Sequence, residues 1–244
     1  MDIGRRDTYD LREPERSREH DTSEVVTARL IAALRLRDPG LADHGHRTAE
    51  VACAVGAALG CDETALDRLY TASLLHDIGK LGVSEAILWK PAGLTTGEWT
   101  VVRTHPEEGH RLVADVVPRD VASAVLYHHE RMDGEGYPFG IPAHSLPLVV
   151  RIVQVADAFD AMTSDRPYQG PIPITAALEE IARCAGTQFD PDVAAVLPGV
   201  FENRTDARIP EELRHASPIP GLDPPGSVPA AAQPSLISLR GRPV

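Results

Sequence analysis

Leu74-Leu75-His76-Asp77-Ile78-Gly79-Lys80 sets a His and an Asp side by side at the end of an apolar helical run. Neighbouring positions on a helix point about 100° apart and do not share a face. Both can serve one centre only where the helix end abuts it, so this stretch reads as a helix terminus aimed at a polar site. An Asp carboxylate offers two oxygens and can bridge two cations, and a neutral imidazole is a good nitrogen ligand. Gly79 reads as the helix stop, with Lys80 following it. The rest of the chain then reads as helices that bring further His and Asp residues to this point.

Working outward, apolar residues at helical spacing predict a helix from about Thr22 or Ser23 through Val25, Val26, Leu30, Ile31 and Leu34. Asp38-Pro39-Gly40 breaks it. A second helix is expected from about Leu41 to Leu59, with His44, Thr48, Val51 and Val55 on one stripe and Gly60 closing it. A third follows Asp62 and runs to Asp77. Residues 81–95 read as a connector. Thr95 then reads as an N-cap with Glu98 as its capping-box partner. Pro106 interrupts that helix, places His105 at a break, and suits a new helix start with Glu107 and Glu108 in the first turn. Pro118 opens a helix that ends at His128-His129-Glu130, ahead of the turn-rich loop Asp133-Gly134-Glu135-Gly136-Tyr137-Pro138.

The stretch from about Pro147 to Thr163 is apolar nearly all round, the mark of a buried helix. Its exceptions, Arg151, Gln154, Asp157 and Asp160, recur every three residues as one polar stripe. Buried charges need partners or metals. Further helices are expected after Pro173 and after Asp190-Pro191. There is little strand signal, so the fold class is all-α.

Composition sets the bounds. The 244 residues suffice for one domain with a full core. Residues 1–22, mostly charged, read as a disordered lead-in, 23–204 as the domain, and 205–244 as a Pro-rich disordered tail holding eight of the 21 prolines. No apolar run approaches a membrane span, and no apolar segment stands behind the charged N-terminus, so neither membrane insertion nor a signal peptide is expected. Cys53, Cys61 and Cys184, odd in number and without paired spacing, suggest a reducing cytoplasm. The net charge of −12 disfavours bulk nucleic acid and anionic lipid, although bound metals can invert the local sign for a small anion.

Seven candidate ligands stand in five separated segments: His44, His76, Asp77, His105, His128, His129 and Asp157. Any one alone is as readily a hydrogen-bonded core His or a capping Asp, and Asp157 could be an ion-pair partner of Arg151. Together, each at the inward end or face of a helix, they point to a metal centre. Nitrogen and carboxylate donors without thiolate suit Fe, Mn, Zn or Ni. Seven ligands exceed the usual protein share of one ion, so two ions are expected.

His44-Gly45-His46-Arg47, His76-Asp77-Ile78-Gly79-Lys80, His105-Pro106, His128-His129-Glu130, Asp133 to Pro138, Val155 to Ala161 and Asp165-Arg166-Pro167-Tyr168 together resemble the HD-GYP domain, a subgroup of the HD-domain phosphohydrolases, over residues 40–200. The resemblance implies a helical bundle extended by C-terminal helices and a cytoplasmic phosphodiesterase that degrades the bacterial second messenger cyclic di-GMP to pGpG or GMP. It implies that the seven residues hold two divalent ions, iron or manganese as a rule, and that Asp77 and Lys80 act in catalysis. Lys80 and Arg166 would contact substrate phosphate, and Gly136, Tyr137 and Pro138 would line the substrate groove. Lys80 can also be read as a cation meeting a helix C-terminus, and Arg166 as a partner of Asp165 or Asp160. Gln169 stands where family members often carry a basic residue. Some members hold a third ion through a Glu four residues before the first His; here that position is Gly40. With so short a lead-in, regulation is expected from a separate signalling partner. Hydrolysis of another nucleotide, or a binding module with slow turnover, are the other classes open to the sequence.

Overall fold

The computed structural model describes residues 13–165 and 170–201. These are helical, with one isolated bridge pairing Ala185 with Phe189 and no strand among the described residues. In order the helices are α1 (Glu13–Arg37), α2 (Pro39–Ala58), α3 (Glu63–Leu75), α4 (Glu85–Leu88), α5 (Thr96–Val102), α6 (His105–Val113), α7 (Arg119–Tyr127), α8 (Leu148–Thr163), α9 (Ile174–Arg183) and α10 (Pro191–Phe201). Two short 3₁₀ turns, Ile78–Gly82 and Ala143–Ser145, interrupt the connections.

The boundaries follow local chemistry. Asp38 accepts the Leu41 N–H at 3.0 Å and caps α2, with Pro39 in its first turn. Asp62 caps α3 through the Ala65 N–H. Thr95 and Glu98 form the expected capping box at the head of α5. Gly60, at φ 80°, closes α2 in the left-handed region where a side chain would be strained.

Helix α8 is the hub. Val150, Ile152, Val153, Val155, Ala156 and Phe159 are buried in one apolar cluster with residues of α2, α3, α7, α9 and α10. A second cluster, with Ile31, Leu34, Leu41, Leu74, Leu75, Ile78, Val113 and Val125, joins α1 to α2, α3, α6 and α7. Burying these side chains, at about 1.5–3 kcal/mol each, fixes the helix ends whose side chains build the site.

Three expectations are corrected. Helix α1 begins at Glu13, inside the stretch read as a disordered lead-in over 1–22; Glu and Arg are good helix formers, and a helix nucleated on the apolar Val25–Leu34 segment propagates backward at low cost. The connector read over 81–95 contains α4. Gly79 is not a helix stop: α3 ends at Leu75, and Gly79 sits inside the 3₁₀ turn, pressed on α6. A Cβ added there would lie 1.9 Å from the His105 carbonyl oxygen and 2.5 Å from the Gly109 nitrogen. Only glycine lets the turn carrying Asp77 and Lys80 approach the start of α6. Residues 1–12, Arg166 to Gln169 and the tail from 202 onward lie outside the described residues.

Candidate metal centre

All seven residues expected from the sequence converge on one point beneath the GYP loop. His76 follows the last residue of α3 and Asp77 comes next; His105 opens α6, His128 and His129 follow α7, His44 lies on α2 and Asp157 on α8. Asp77 is the centre of the array. Its Oδ1 lies 3.2 Å from His105 Nε2 and 3.8 Å from His128 Nε2. Its Oδ2 lies 3.4 Å from His76 Nε2 and 3.9 Å from His44 Nε2. One carboxylate thus turns a separate oxygen to each of two histidine groups. Asp77, His105, His128 and His129 could hold one ion, and His44, His76 and Asp77 another. Asp157 completes the second group, its Oδ1 being 3.1 Å from His44 Nε2 and 3.9 Å from His76 Nε2. The alternative of an Asp157–Arg151 pair does not occur: Arg151 pairs with Asp190 instead.

The rings are locked from behind. His76 Nδ1 donates to the Ser73 carbonyl at 2.7 Å, His105 Nδ1 to Val102 at 2.7 Å and His128 Nδ1 to Val125 at 2.9 Å. Such bonds set the tautomer and leave the Nε2 lone pair facing the centre. His44 Nδ1 meets Asp160 Oδ2 at 2.7 Å, and Asp160 is itself held by Arg47 and by the Ser164 hydroxyl.

This array fits cations. With Nδ1 protonated on both rings, His105 Nε2 and His128 Nε2 face each other at 3.1 Å as two lone pairs, a contact that needs a positive charge between them. The His76 and His129 Nε2 atoms and Asp77 Oδ1 are buried with no hydrogen-bond partner. Buried groups left so are costly, and two bound cations would satisfy all of them.

The electrostatics agree. Burial, followed by the neighbouring imidazoles, pushes His128 down to about 3 and His129 well below its usual range. Burial lowers His105 too, against the pull of Asp77. These rings are therefore neutral, as ligands must be. Burial would raise the Asp77 carboxyl, but Lys80, His76 and His105 outweigh it and hold it ionised. Asp157 is likewise kept low against burial by His44 and His76. His44 is the exception: burial is overcome by Asp157 and Asp160, which raise it to about 9.

Lys80 Nζ sits 2.5 Å from Asp77 Oδ2 and keeps a partly exposed position at the rim. The loop beyond α7 is clamped on the centre. Glu130 accepts the Phe139 and Ile141 N–H groups at 2.8 and 2.9 Å, and the Tyr137 N–H donates to the His129 carbonyl. The Tyr137 ring stacks on His129, with centroids 4.6 Å apart. Gly136 is required here, since a Cβ would fall 2.5 Å from both the Glu130 Cα and the His129 carbonyl oxygen. Gln154 donates to the Tyr127 and Glu130 carbonyls and ties this loop to α8. The sequence alone gives no role for Glu130; it places Gln154 and Asp160 on the polar stripe, and Asp160 as a partner of Arg166, but not behind His44; the spacing of three from Asp157 is the signal available. His46 turns away from the centre, toward Arg35 and Tyr70.

The family pattern described as HD domain matches residues 29–193. The chain belongs to the HD-domain family. Over 176 residues this HD domain is 39% identical to the cyclic di-GMP phosphodiesterase response regulator RpfG of Xanthomonas campestris pv. campestris, covering 70% of this chain and 47% of that protein. It is 37% identical to 3′3′-cGAMP-specific phosphodiesterase 3 of Vibrio cholerae, over 71% and 38% of the two chains, and 35% identical to a cyclic di-GMP phosphodiesterase of Thermotoga maritima, over 70% and 47%. The chain thus spans about half the length, or less, of the curated relatives it matches. Among solved structures, Bd1817, an HDG"Y"P protein from Bdellovibrio bacteriovorus, shares the fold with a TM-score of 0.56 at 20% identity, over 66% of this chain and 52% of that one. The fold expected from the resemblance, an all-helical HD bundle with added C-terminal helices, is the one observed.

Proposed function

We propose that this HD domain is a metal-dependent phosphodiesterase that hydrolyses cyclic di-GMP to pGpG and/or GMP in bacterial second-messenger signalling. The observation that carries the reading is Asp77, whose two oxygens face two separate histidine groups over a pair of neutral imidazole nitrogens that repel without a cation. The relatives named cyclic di-GMP phosphodiesterases support the substrate. A second reading, 3′3′-cGAMP, is favoured by a relative of nearly equal identity named for that dinucleotide.

In this reading His44, His76, Asp77 and Asp157 hold one divalent ion, and Asp77, His105, His128 and His129 the other; the donors suit Fe, Mn, Zn or Ni, and the resemblance to the HD-GYP domain favours iron or manganese. Bound divalent cations supply Lewis acidity, which makes water a nucleophile at neutral pH and offsets charge on phosphate oxygens. The side chains do the rest. The carbonyls of Ser73, Val102 and Val125 keep three imidazoles in one tautomer. Asp160 fixes His44. Lys80 at the rim donates to a phosphoryl oxygen as negative charge grows on it, while water adds to phosphorus and the 3′-oxygen leaves. Burial, with Asp77 and Asp157 nearby, keeps the Tyr137 phenol protonated as a donor beside the groove. Arg166, outside the described residues, is assigned a phosphate contact on sequence alone. Asp38 is committed to capping α2 and Gly40 offers no ligand, which favours two ions over three. The cytoplasmic assignment rests on the free thiols of Cys53, Cys61 and Cys184.

Product analysis of anaerobically purified protein given cyclic di-GMP with added Mn or Fe tests the proposal. Linear pGpG or GMP is expected, with about two ions per chain by elemental analysis. Turnover of a different nucleotide alone would place the chain elsewhere among HD phosphohydrolases. Binding without cleavage would make it a binding module.

A further inference from the structure

Arg103 caps the C-terminus of α5, two residues before His105. Its guanidinium carbon lies 5.1 Å from the centroid of the Tyr137 ring. The same ring stacks on His129 at 4.6 Å with the planes 25° apart. Tyr137 thus has His129 stacked on it and Arg103 over its ring. Arg103 is exposed, and no carboxylate pairs with it among the described residues, whereas Arg47, Arg131 and Arg151 each hold an Asp. In a chain of net charge −12, an exposed guanidinium held over an aromatic face beside the centre, with no carboxylate partner among the described residues, is unusual.

Contact with the ring face holds the cation beside the centre, and the planar fork of a guanidinium suits the two free oxygens of a phosphodiester. A cyclic dinucleotide carries two phosphodiesters held apart by its ring. If one is at the His/Asp cluster, the other lies outside it and needs a cation of its own. On the cyclic dinucleotide reading above, we infer that Arg103 binds the second, non-scissile phosphate of the substrate. It thereby selects two-phosphate ligands over mononucleotides.

The test uses Mn-loaded protein and two probes: a phosphorothioate analogue of cyclic di-GMP that resists hydrolysis, and GMP, which has one phosphate. Arg103→Ala is expected to weaken the analogue by about 10- to 100-fold, the scale of one charge-assisted contact, and GMP by less than about 3-fold. Arg103→Lys, which keeps the charge but not the fork, is expected to lie between. Manganese content equal to wild type in both variants excludes a damaged centre. Equal loss for both probes would make Arg103 only a support for Tyr137 and His129, and no loss for either would leave it an ordinary surface residue; each result overturns the inference. Tight binding by a protein that never cleaves cyclic di-GMP refutes the hydrolase reading and leaves the Arg103 comparison to be decided by the same two probes. A wild type that binds neither the analogue nor cyclic di-GMP refutes both.

Discussion

One methyl group at Gly79 is expected to pull the two halves of the metal centre apart. The Gly79→Ala Cβ would stand 1.9 Å from the His105 carbonyl oxygen, 2.5 Å from the Gly109 nitrogen and 2.8 Å from the His105 carbonyl carbon. Non-bonded heavy atoms settle near 3.5 Å, so the turn and α6 must separate by roughly 1.5 Å. Every one of these neighbours is backbone, and no side chain can rotate out of the way. Overpacking costs about 1–3 kcal/mol in ordinary cores, and this site belongs at or above the top of that range. For a domain of this size about 3 kcal/mol lowers Tm by roughly 6–12 °C.

The functional effect is expected to be larger than the loss of stability suggests. Asp77 lies two residues before Gly79, and its Oδ1 reaches His105 Nε2 over 3.2 Å. A shift of about 1 Å there unmatches the bridging carboxylate from one histidine group, and such misplacement commonly lowers rates about 100-fold. Scanning calorimetry of the metal-free variant, with elemental analysis after reloading, reads both effects. A Tm within about 2 °C of wild type together with full metal content would refute the claim that this close approach assembles the centre.

Lys80→Ala should lower kcat by about 10- to 1000-fold with metal content unchanged; an unchanged kcat returns Lys80 to the role of a helix-end cation. Asp160→Asn should weaken metal binding about 10- to 100-fold in a chelator competition, because Asp160 orients His44 from behind; equal affinity would mean that α2 alone aims the ring. Metal-free protein should be most stable near pH 6.5. Above that pH, His44 gives up stability as it titrates toward its raised value of about 9. Below it, the unfolded chain gains protons that buried His128, lowered to about 3, cannot accept, so stability falls with acid. Urea titrations across pH 4–9 check this, and a monotonic profile would contradict it.

The helices were legible where their ends carry chemistry that acts within four residues. Asp62, the Thr95–Glu98 box and the Pro residues at 106, 118 and 147 each mark a start that the structure keeps. The seven converging residues could be picked out because each prolongs a core-facing stripe, stands on the polar stripe of a buried helix, or lies at a helix end or break. What stayed hidden depends on distant partners. Asp160 meets His44 across 116 positions, and Gln154 meets Glu130 across 24. Glu130 reads as a plain helix-end carboxylate until the loop folds back to place two backbone N–H groups on it. Gly79 reads as a stop because only a tertiary neighbour, the His105 carbonyl, shows why a side chain is excluded.

The three backbone-held histidines share one construction, and it bears on why the centre takes cations. Ser73 lies in the last turn of α3, Val102 ends α5, and Val125 lies in the last turn of α7. Each carbonyl belongs to the final turn, where the helix itself provides no donor. The imidazoles of His76, His105 and His128 satisfy these three carbonyls through Nδ1 and send Nε2 beyond the helix end. One bond thus caps the helix, sets the tautomer and aims the ligand. The geometry also brings three helix C-termini toward one point. Each contributes a partial negative charge there, worth about 0.3–1 kcal/mol to a nearby cation at an exposed site and more where water is excluded. With ionised Asp77 and Asp157 at the same point, the backbone and the side chains favour positive charge together. That field explains how a cluster of neutral, buried imidazoles can persist beside Lys80: the lysine offsets part of the negative charge at the rim, and the remainder is what divalent ions would neutralise.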